Sequence, residues 1–331
     1  MKEKIKKAAM AAGAGLGVVG AACLGAYVTT RYLMSVAMDR REPELVKQAN
    51  KMISGAKNVD HNFWDELDRA SEKLQARENE EITITASDGE TLIGHWFEHP
   101  SPRRIIVAMH GWRAAWHRDF GTVADYWFDH GCSVLFAEQR GQNNSGGDRM
   151  GFGVRERFDT VDWVKWVNER CPGGLPVYLC GVSMGATTVL MAAGLELPDN
   201  VRGIIADCGF TSPGAIFRHV ANNNLHMIYG IRSVFADAMF RQAHSVGAEE
   251  ISTLDALKKT KIPVLFVHGT DDKFVPISMT YENYKACASP KRLFVVPGAD
   301  HGMSYYVDPK GYEAAVENFW RDFDAPAEEA V

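Results

Sequence analysis

A serine attacks a carbonyl only when its backbone holds the hydroxyl clear of the chain and a neighbouring base takes the proton. Gly181-Val-Ser183-Met-Gly185 supplies the first condition. It follows the apolar run Val177-Tyr-Leu-Cys180 and opens a stretch rich in small residues, Ala186, Thr187, Thr188, Ala192 and Ala193. In a strand-turn-helix elbow the serine takes a strained conformation, and side chains two places before and after it would collide, so both places require glycine. Ser183 is therefore the expected nucleophile. The five-residue pattern alone arises by chance; the strand before it and the helix after it carry the assignment.

The base and its orienting acid follow such an elbow in the order acid, then histidine. Of eleven histidines, only His301 lies beyond the apolar run Val264 to Val267 and the acids after it. It stands in Gly298-Ala-Asp-His301-Gly302, behind another apolar run, Leu293 to Val296. The bland alternative is an exposed histidine in a glycine-flanked turn. His268-Gly-Thr-Asp271-Asp272-Lys-Phe-Val-Pro276 offers two adjacent carboxylates. Asp272 is the expected orienter, at the strand's exit where the chain leads into the next helix, and Asp271 is left to cap the turn or the helix. Asp300 is set aside, because sequence neighbours seldom face one another across a hydrogen bond of the required geometry.

Acyl transfer also needs N–H donors for the oxyanion, one from the residue after the nucleophile and one from the loop after an earlier strand. Met184 fits the first and Trp112, in His110-Gly111-Trp112 after Met109, fits the second. His110 is expected to be a structural hydrogen-bonding residue, not a second base.

These residues must be held by a frame. The chain has 331 residues, 46% hydrophobic and 24% charged, which suits one large globular domain with an appendage. After Glu81 short apolar runs recur at Ile82, Thr91, Ile105, Cys132, Val177, Gly203 and Val264, with helical stretches at Arg155 to Arg170, Met184 to Leu195 and Tyr281 to Ala288. Strands alternating with helices predict a mostly parallel sheet covered on both faces. A net charge of −6 without clustered basic residues past the first few gives no footprint for nucleic acid. The six cysteines contain no C-x-x-C pair and no zinc-ligand spacing appears, so no metal is expected, and Cys132, Cys180 and Cys208 read as small buried hydrophobes.

The first seven residues carry four lysines, and Ala8 to Thr30 is an uncharged run of 23 residues. A run longer than the ~20 residues that cross a hydrocarbon core reads as an uncleaved membrane anchor, with the lysines in the cytoplasm and the body outside. A cleaved secretory signal, leaving a secreted protein, is the alternative. Gly15-Leu-Gly17-Val-Val-Gly20 spells a dinucleotide fingerprint, but residues of high helix propensity precede it where a strand is required, so no cofactor is inferred. From Glu42 to Gln75 apolar residues recur at helical spacing, as in a stalk packed on the body.

Taken together, His110-Gly-Trp112, Glu138-Gln-Arg-Gly-Gln-Asn-Asn-Ser-Gly147, Ser183, Asp272 and His301 resemble the motifs of the α/β-hydrolases over about residues 81–324. Asp207-Cys-Gly-Phe-Thr-Ser-Pro213 and His301-Gly-Met-Ser-Tyr-Tyr-Val-Asp-Pro309 more narrowly resemble bacterial membrane-anchored or secreted serine hydrolases of the esterase and lipase type. Many relatives have Arg-Gly-His-Gly where this chain has Arg140-Gly-Gln142-Asn143, so that turn is expected to be built differently. The resemblance implies an eight-stranded, mostly parallel sheet and a short helical cap inserted at about 211–256, where Ile216, Phe217, Val220, Met227, Ile228 and further apolar residues form a series too long for one loop. The expected division is an anchor or signal at 1–30, a stalk at 31–80, the hydrolase domain at 81–324 and an acidic tail at 325–331. The expected activity is hydrolysis of a carboxylic ester or thioester through an acyl-enzyme on Ser183, on small to medium apolar acyl or aryl substrates, without a cofactor. A peptidase of the same fold and a catalytically inactive anchored binding module are the alternatives.

Overall fold

In a computed structural model of the chain, the apolar runs form β1 (Glu80–Thr85), β2 (Thr91–Phe97), β3 (Arg104–Met109), β4 (Cys132–Ala137), β5 (Val177–Val182), β6 (Val201–Asp207), β7 (Val264–Gly269) and β8 (Lys291–Val296). The structure describes the backbone of residues 2–41 and 61–324, and the side chains of 20–41 and 64–324. One eight-stranded sheet has the order β1-β2-β4-β3-β5-β6-β7-β8. β2 runs antiparallel to both neighbours, and the remaining pairs are parallel. β3, β4 and β7 are buried at every position, which is why they read as unbroken apolar runs, whereas β1 at the edge is mostly exposed.

Helices cover both faces. On one side Trp163, Val164 and Val167 of α5 (Glu156–Arg170) and Val189 and Leu190 of α6 (Met184–Ala192) pack on Ile105, Val107, Leu179 and Phe266. On the other, α3 (Trp116–Phe120), α4 (Ala124–Asp129) and α11 (Pro309–Phe323) place Trp116, Phe120, Trp127, Val316 and Phe319 against Ile106, Phe136, Tyr178 and Leu265. The loops after β3, β5, β7 and β8 therefore emerge along one edge of the sheet, where ligands bind in parallel α/β sheets.

The cap is helical where it was expected: α7 (Pro213–His219), a π-helical turn at Val220–Asn224, α8 (Arg232–His244) and α9 (Thr253–Leu257). The helix after β7, α10, spans Ile277–Ala286 and so begins four residues before the expected Tyr281, because Pro276 sets its start. α6 stops at Ala192 instead of Leu195, just before Gly194. All six cysteines are free, with Cys132, Cys180 and Cys208 buried.

The N-terminal region departs most from expectation. α1 (Lys2–Met38) is one helix that runs through the expected 30/31 boundary and through Gly15, Gly17 and Gly20, so no strand-turn precedes or contains those glycines. Ala26, Thr30, Met34 and Met38 are buried at every fourth place, a stripe that seats the second half of the helix on the domain. Met34 and Met38 share a core with Phe152, Met184, Phe210, Ile216 and Phe240, and the Met150 N–H donates to the Met38 carbonyl at 2.7 Å. Among the described residues no helix is long and apolar enough to cross a membrane. The side chains of residues 1–19, with the first part of the expected anchor, lie outside them, as do residues 42–60 of the expected stalk and the tail 325–331. The rest of the stalk is α2 (His61–Ala76), which packs through Leu74 and Ser71, the latter hydrogen-bonded to His117 Nδ1 at 2.7 Å.

The tightest point lies where α6 leaves β5. A Cβ on Gly185 would overlap the main-chain oxygen of Met109, and one on Gly181 would overlap the backbone of Gly185. Because backbone, not a movable side chain, is in the way, Gly185→Ala is expected to destabilise the fold by at least ~3 kcal/mol in urea unfolding, the upper end of overpacking effects. A loss under ~1 kcal/mol would show that this crossing is not the constraint described.

Candidate active site

The elbow puts Ser183 at φ 56° and ψ −116°, left-handed territory that a serine enters only when its surroundings compel it. They do so from two sides. The Ser183 N–H donates to the Asp207 carbonyl at 2.9 Å, tying the turn to β6, and α6 starts at the next residue.

Ser183 Oγ lies 2.9 Å from His301 Nε2, and His301 Nδ1 lies 2.7 Å from Asp272 Oδ2. The three residues expected from the sequence thus form one hydrogen-bonded line, in which Ser183 donates to Nε2 and Nδ1–H donates to the carboxylate. Asp272 is held from several directions. Its Oδ1 accepts from the Phe274 and Val275 amides at 2.9 and 2.8 Å, and its Oδ2 also accepts from His268 Nε2 at 3.1 Å. Burial opposes its charge, yet the hydrogen bonds from His268 and His301 outweigh burial and hold the carboxyl well below its usual range. Asp271, by contrast, is exposed and accepts from Thr270 Oγ1 at 2.8 Å.

The loop after β3 carries the second expected oxyanion donor. Among the described residues no acceptor is hydrogen-bonded to the main-chain N–H of Trp112 or of Met184. His110 Nδ1 lies 2.8 Å from the Gly111 carbonyl. That carbonyl shares a peptide plane with the Trp112 N–H, so fixing one aims the other the opposite way. The His110 ring is fully buried and accepts from the Gln139 N–H at 3.0 Å, and burial lowers its basicity, which suits a fixed neutral brace.

Further side chains brace this loop, a role that no sequence signal gave them. Asp119 Oδ2 accepts the Gly111 N–H at 2.6 Å, and burial pushes this carboxyl above its usual range. Gln142 Oε1 accepts the Arg113 N–H at 2.5 Å and Asn143 Nδ2 donates to the Ala114 carbonyl at 2.9 Å, so the departure at Gln142-Asn143 is where the turn after β4 grips this loop. From above, the Trp112 indole donates to the Ala37 carbonyl at 2.8 Å, and the Arg113 guanidinium to those of Val36 and Asp39 at 2.8 and 2.6 Å. Two of the last carbonyls of α1, those of Val36 and Ala37, are thereby satisfied by the oxyanion loop itself.

Two cavities meet at Ser183, and both also touch Trp112 and Phe274. The first, about 320 Å³, runs between α1 and the cap and is walled by Leu33, Met34, Phe152, Phe210, Ile216 and Phe217 among others, with Arg232 the one charged residue among the described lining. The second, about 350 Å³, holds His301, Arg118, Asp119, Thr122 and Tyr306, roofed by Trp64 and Leu67 of α2. The insert lines the first cavity as expected, but Thr30 to Ala37 of α1 share that wall, which no sequence pattern indicated. Among the described residues, Cys208, Asp272 and His301 cluster closely enough to hold a cation. Burial keeps the Cys208 thiol protonated, and Asp272 and His301 are committed to each other, so this donor set is that of a proton relay.

A nucleophile elbow, a Ser-His-Asp line across three loops and this sheet order are the features of the α/β-hydrolase fold. A family profile described as "Serine aminopeptidase, S33" matches residues 100–239. The chain is 28% identical over 253 residues to the uncharacterized protein YqkD of Bacillus subtilis, covering 75% of this chain and 81% of that one. Among solved structures it superposes on the Pyrococcus furiosus esterase Pf2001 with a TM-score of 0.61 at 21% identity, covering 76% and 96% of the two chains. Est1E from Butyrivibrio proteoclasticus, solved with ferulic acid, gives 0.58 at 20% identity, covering 73% and 98%. The chain has the α/β-hydrolase fold, and the profile match and these neighbours support a hydrolase of that fold.

Two substitutions test the geometry. Asp272→Asn should lower kcat by about 10³–10⁴ with the fold intact, as the imidazole loses its tautomer and its stabilising charge, whereas Asp271→Asn should change it less than about threefold. Equal losses in steady-state assays would reject Asp272 as the orienter. Arg113→Ala should lower kcat by roughly ten- to a hundredfold with KM little changed, because it loosens the donor loop without touching the triad. An unchanged kcat would show that the α1 contacts do not align Trp112.

Proposed function

We propose that the protein is a serine hydrolase of carboxylic esters or thioesters that works through an acyl-enzyme on Ser183. The observation that carries this reading is the position of Ser183 Oγ, 2.9 Å from His301 Nε2, where an apolar cavity meets a polar one. His301 takes the proton as Ser183 Oγ attacks the carbonyl carbon, and the Trp112 and Met184 N–H groups receive the oxyanion. The imidazolium, stabilised by Asp272, then gives its proton to the departing oxygen or sulfur, and water attacks the acyl-enzyme with His301 again as base.

His301 lines only the second cavity, so the leaving group belongs there and the acyl chain in the first. This partition also weighs against the peptidase reading. An aminopeptidase binds its substrate's ammonium group on the acyl side, and among the described residues no carboxylate lines the acyl cavity. The uncharged run Ala8 to Thr30 behind its lysines supports a tether to a membrane, with the body on the side away from the lysines.

Stopped-flow hydrolysis of p-nitrophenyl esters from acetyl to dodecanoyl tests the proposal. A burst of p-nitrophenol is expected, absent in Ser183→Ala. Each methylene buried in the acyl cavity should raise kcat/KM by up to about fourfold, ~0.8 kcal/mol, until the cavity is full, after which the value falls. A flat series, a preference for charged acyl groups, or faster turnover of aminoacyl arylamides would overturn it.

A further inference from the structure

The acyl cavity has a mouth, and the surface around it is unlike the rest of the domain. Tyr32 of α1 and Leu225 of the cap line the cavity and are 39% and 44% exposed, which marks its opening. Around that opening Leu24 and Val28 of α1, and Ile228, Ile231 and Val234 of the cap, stand exposed, Ile228 to 81%. The two elements form one face: Tyr27 meets Phe235 edge-on at 5.5 Å between ring centres. The cap tip Leu225-His-Met-Ile-Tyr-Gly-Ile231 contains no Asp, Glu, Lys or Arg. A contiguous apolar face of this kind on a folded domain marks a surface that meets something apolar.

What it meets follows from α1 and from charge. North of Ala26 the described helix leaves the domain, with only Cys23 half-buried, and it continues as helix into the uncharged run that begins at Ala8. The part of that run before Ala26, Ala8 to Gly25, makes about 27 Å of helix, enough to enter a hydrocarbon core. No acid occurs between Glu3 and Asp39 or between Leu225 and Ala236, while Arg31 and Arg232 flank the face, a charge pattern that suits anionic lipid headgroups. We infer that this face docks on a lipid surface, with Ile228, Ile231 and Val234 in the headgroup-acyl boundary, and that the acyl cavity is filled directly from the bilayer. The substrate class is then an ester whose long acyl chain resides in the membrane and whose polar alcohol portion reaches the cavity beside Arg118 and Tyr306. This rests on the ester-hydrolase reading above and adds to it the phase from which substrate is taken.

The test uses the full chain reconstituted in phosphatidylcholine and phosphatidylglycerol vesicles. It is assayed on dissolved p-nitrophenyl butyrate and on p-nitrophenyl palmitate held in the same vesicles. Ile228→Asp and Val234→Asp should each lower the palmitate rate at least about tenfold and leave the butyrate rate within about twofold, since neither residue lines the cavity. Ile228→Trp, with a side chain that favours the interface, should keep or raise the palmitate rate. Parallel losses on both substrates, or an unchanged palmitate rate in the aspartate variants, would overturn lipid docking. So would conversion of a detergent-solubilised dimer to monomer by Ile228→Asp without a change in the palmitate rate, which would assign the face to a second copy of the chain. A wild-type chain inactive on both esters would count against the hydrolase reading itself.

Discussion

At the elbow the chain crosses itself at a distance that admits no side chain. β5 delivers Ser183 into α6 over the carbonyl end of β3, and the absence of a Cβ at Gly181 and Gly185 lets the three backbones approach. That close approach fixes both partners of the first chemical step. It sets the dihedral angles that expose Ser183 Oγ, and it brings the amide of Met184 beside the loop that carries Trp112. A looser crossing would separate nucleophile from donors even with every catalytic residue present.

Around that point the site is held by groups that do not react. The charge on Asp272 persists despite burial because two histidines and two amides point at it, and His268, itself fully buried, is anchored 2.6 Å from Thr280 Oγ1 on α10. The oxyanion loop is gripped on one side by His110 and Asp119, on another by the turn after β4, and on a third by α1. Preorganisation of this kind moves the cost of orientation from the reaction into folding.

The parallel strands and the elbow were legible because both rest on local rules: doubly buried strands read as apolar runs, and a turn without room for Cβ demands glycine. The order of acid and histidine along the chain was equally legible, since each follows its own strand. Asp119, His268, Gln142 and Asn143 were not, because a brace is defined by what it touches in space, and nothing in the spacing of Asp119 from Gly111 announces a hydrogen bond. The seat of α1 on the domain was not legible for a related reason. Its sequence satisfies a span, while the stripe Ala26, Thr30, Met34 and Met38 that seats its second half uses residues apolar enough for either role.

The contacts between Arg113, Trp112 and the end of α1 make that helix a lever with its short arm in the catalytic centre. The carbonyls of Val36 and Ala37 at its end and of Asp39 just past it are held at 2.6–2.8 Å, and one residue's rise along the axis is about 1.5 Å. A pull on the N-terminus that slid the helix by even that step would break all three contacts together and release the loop they steady. Whatever grips the first residues of the chain therefore has a mechanical route to the rate: tension applied at one end is felt, some tens of ångströms away, as slack in the donors around the reacting oxygen.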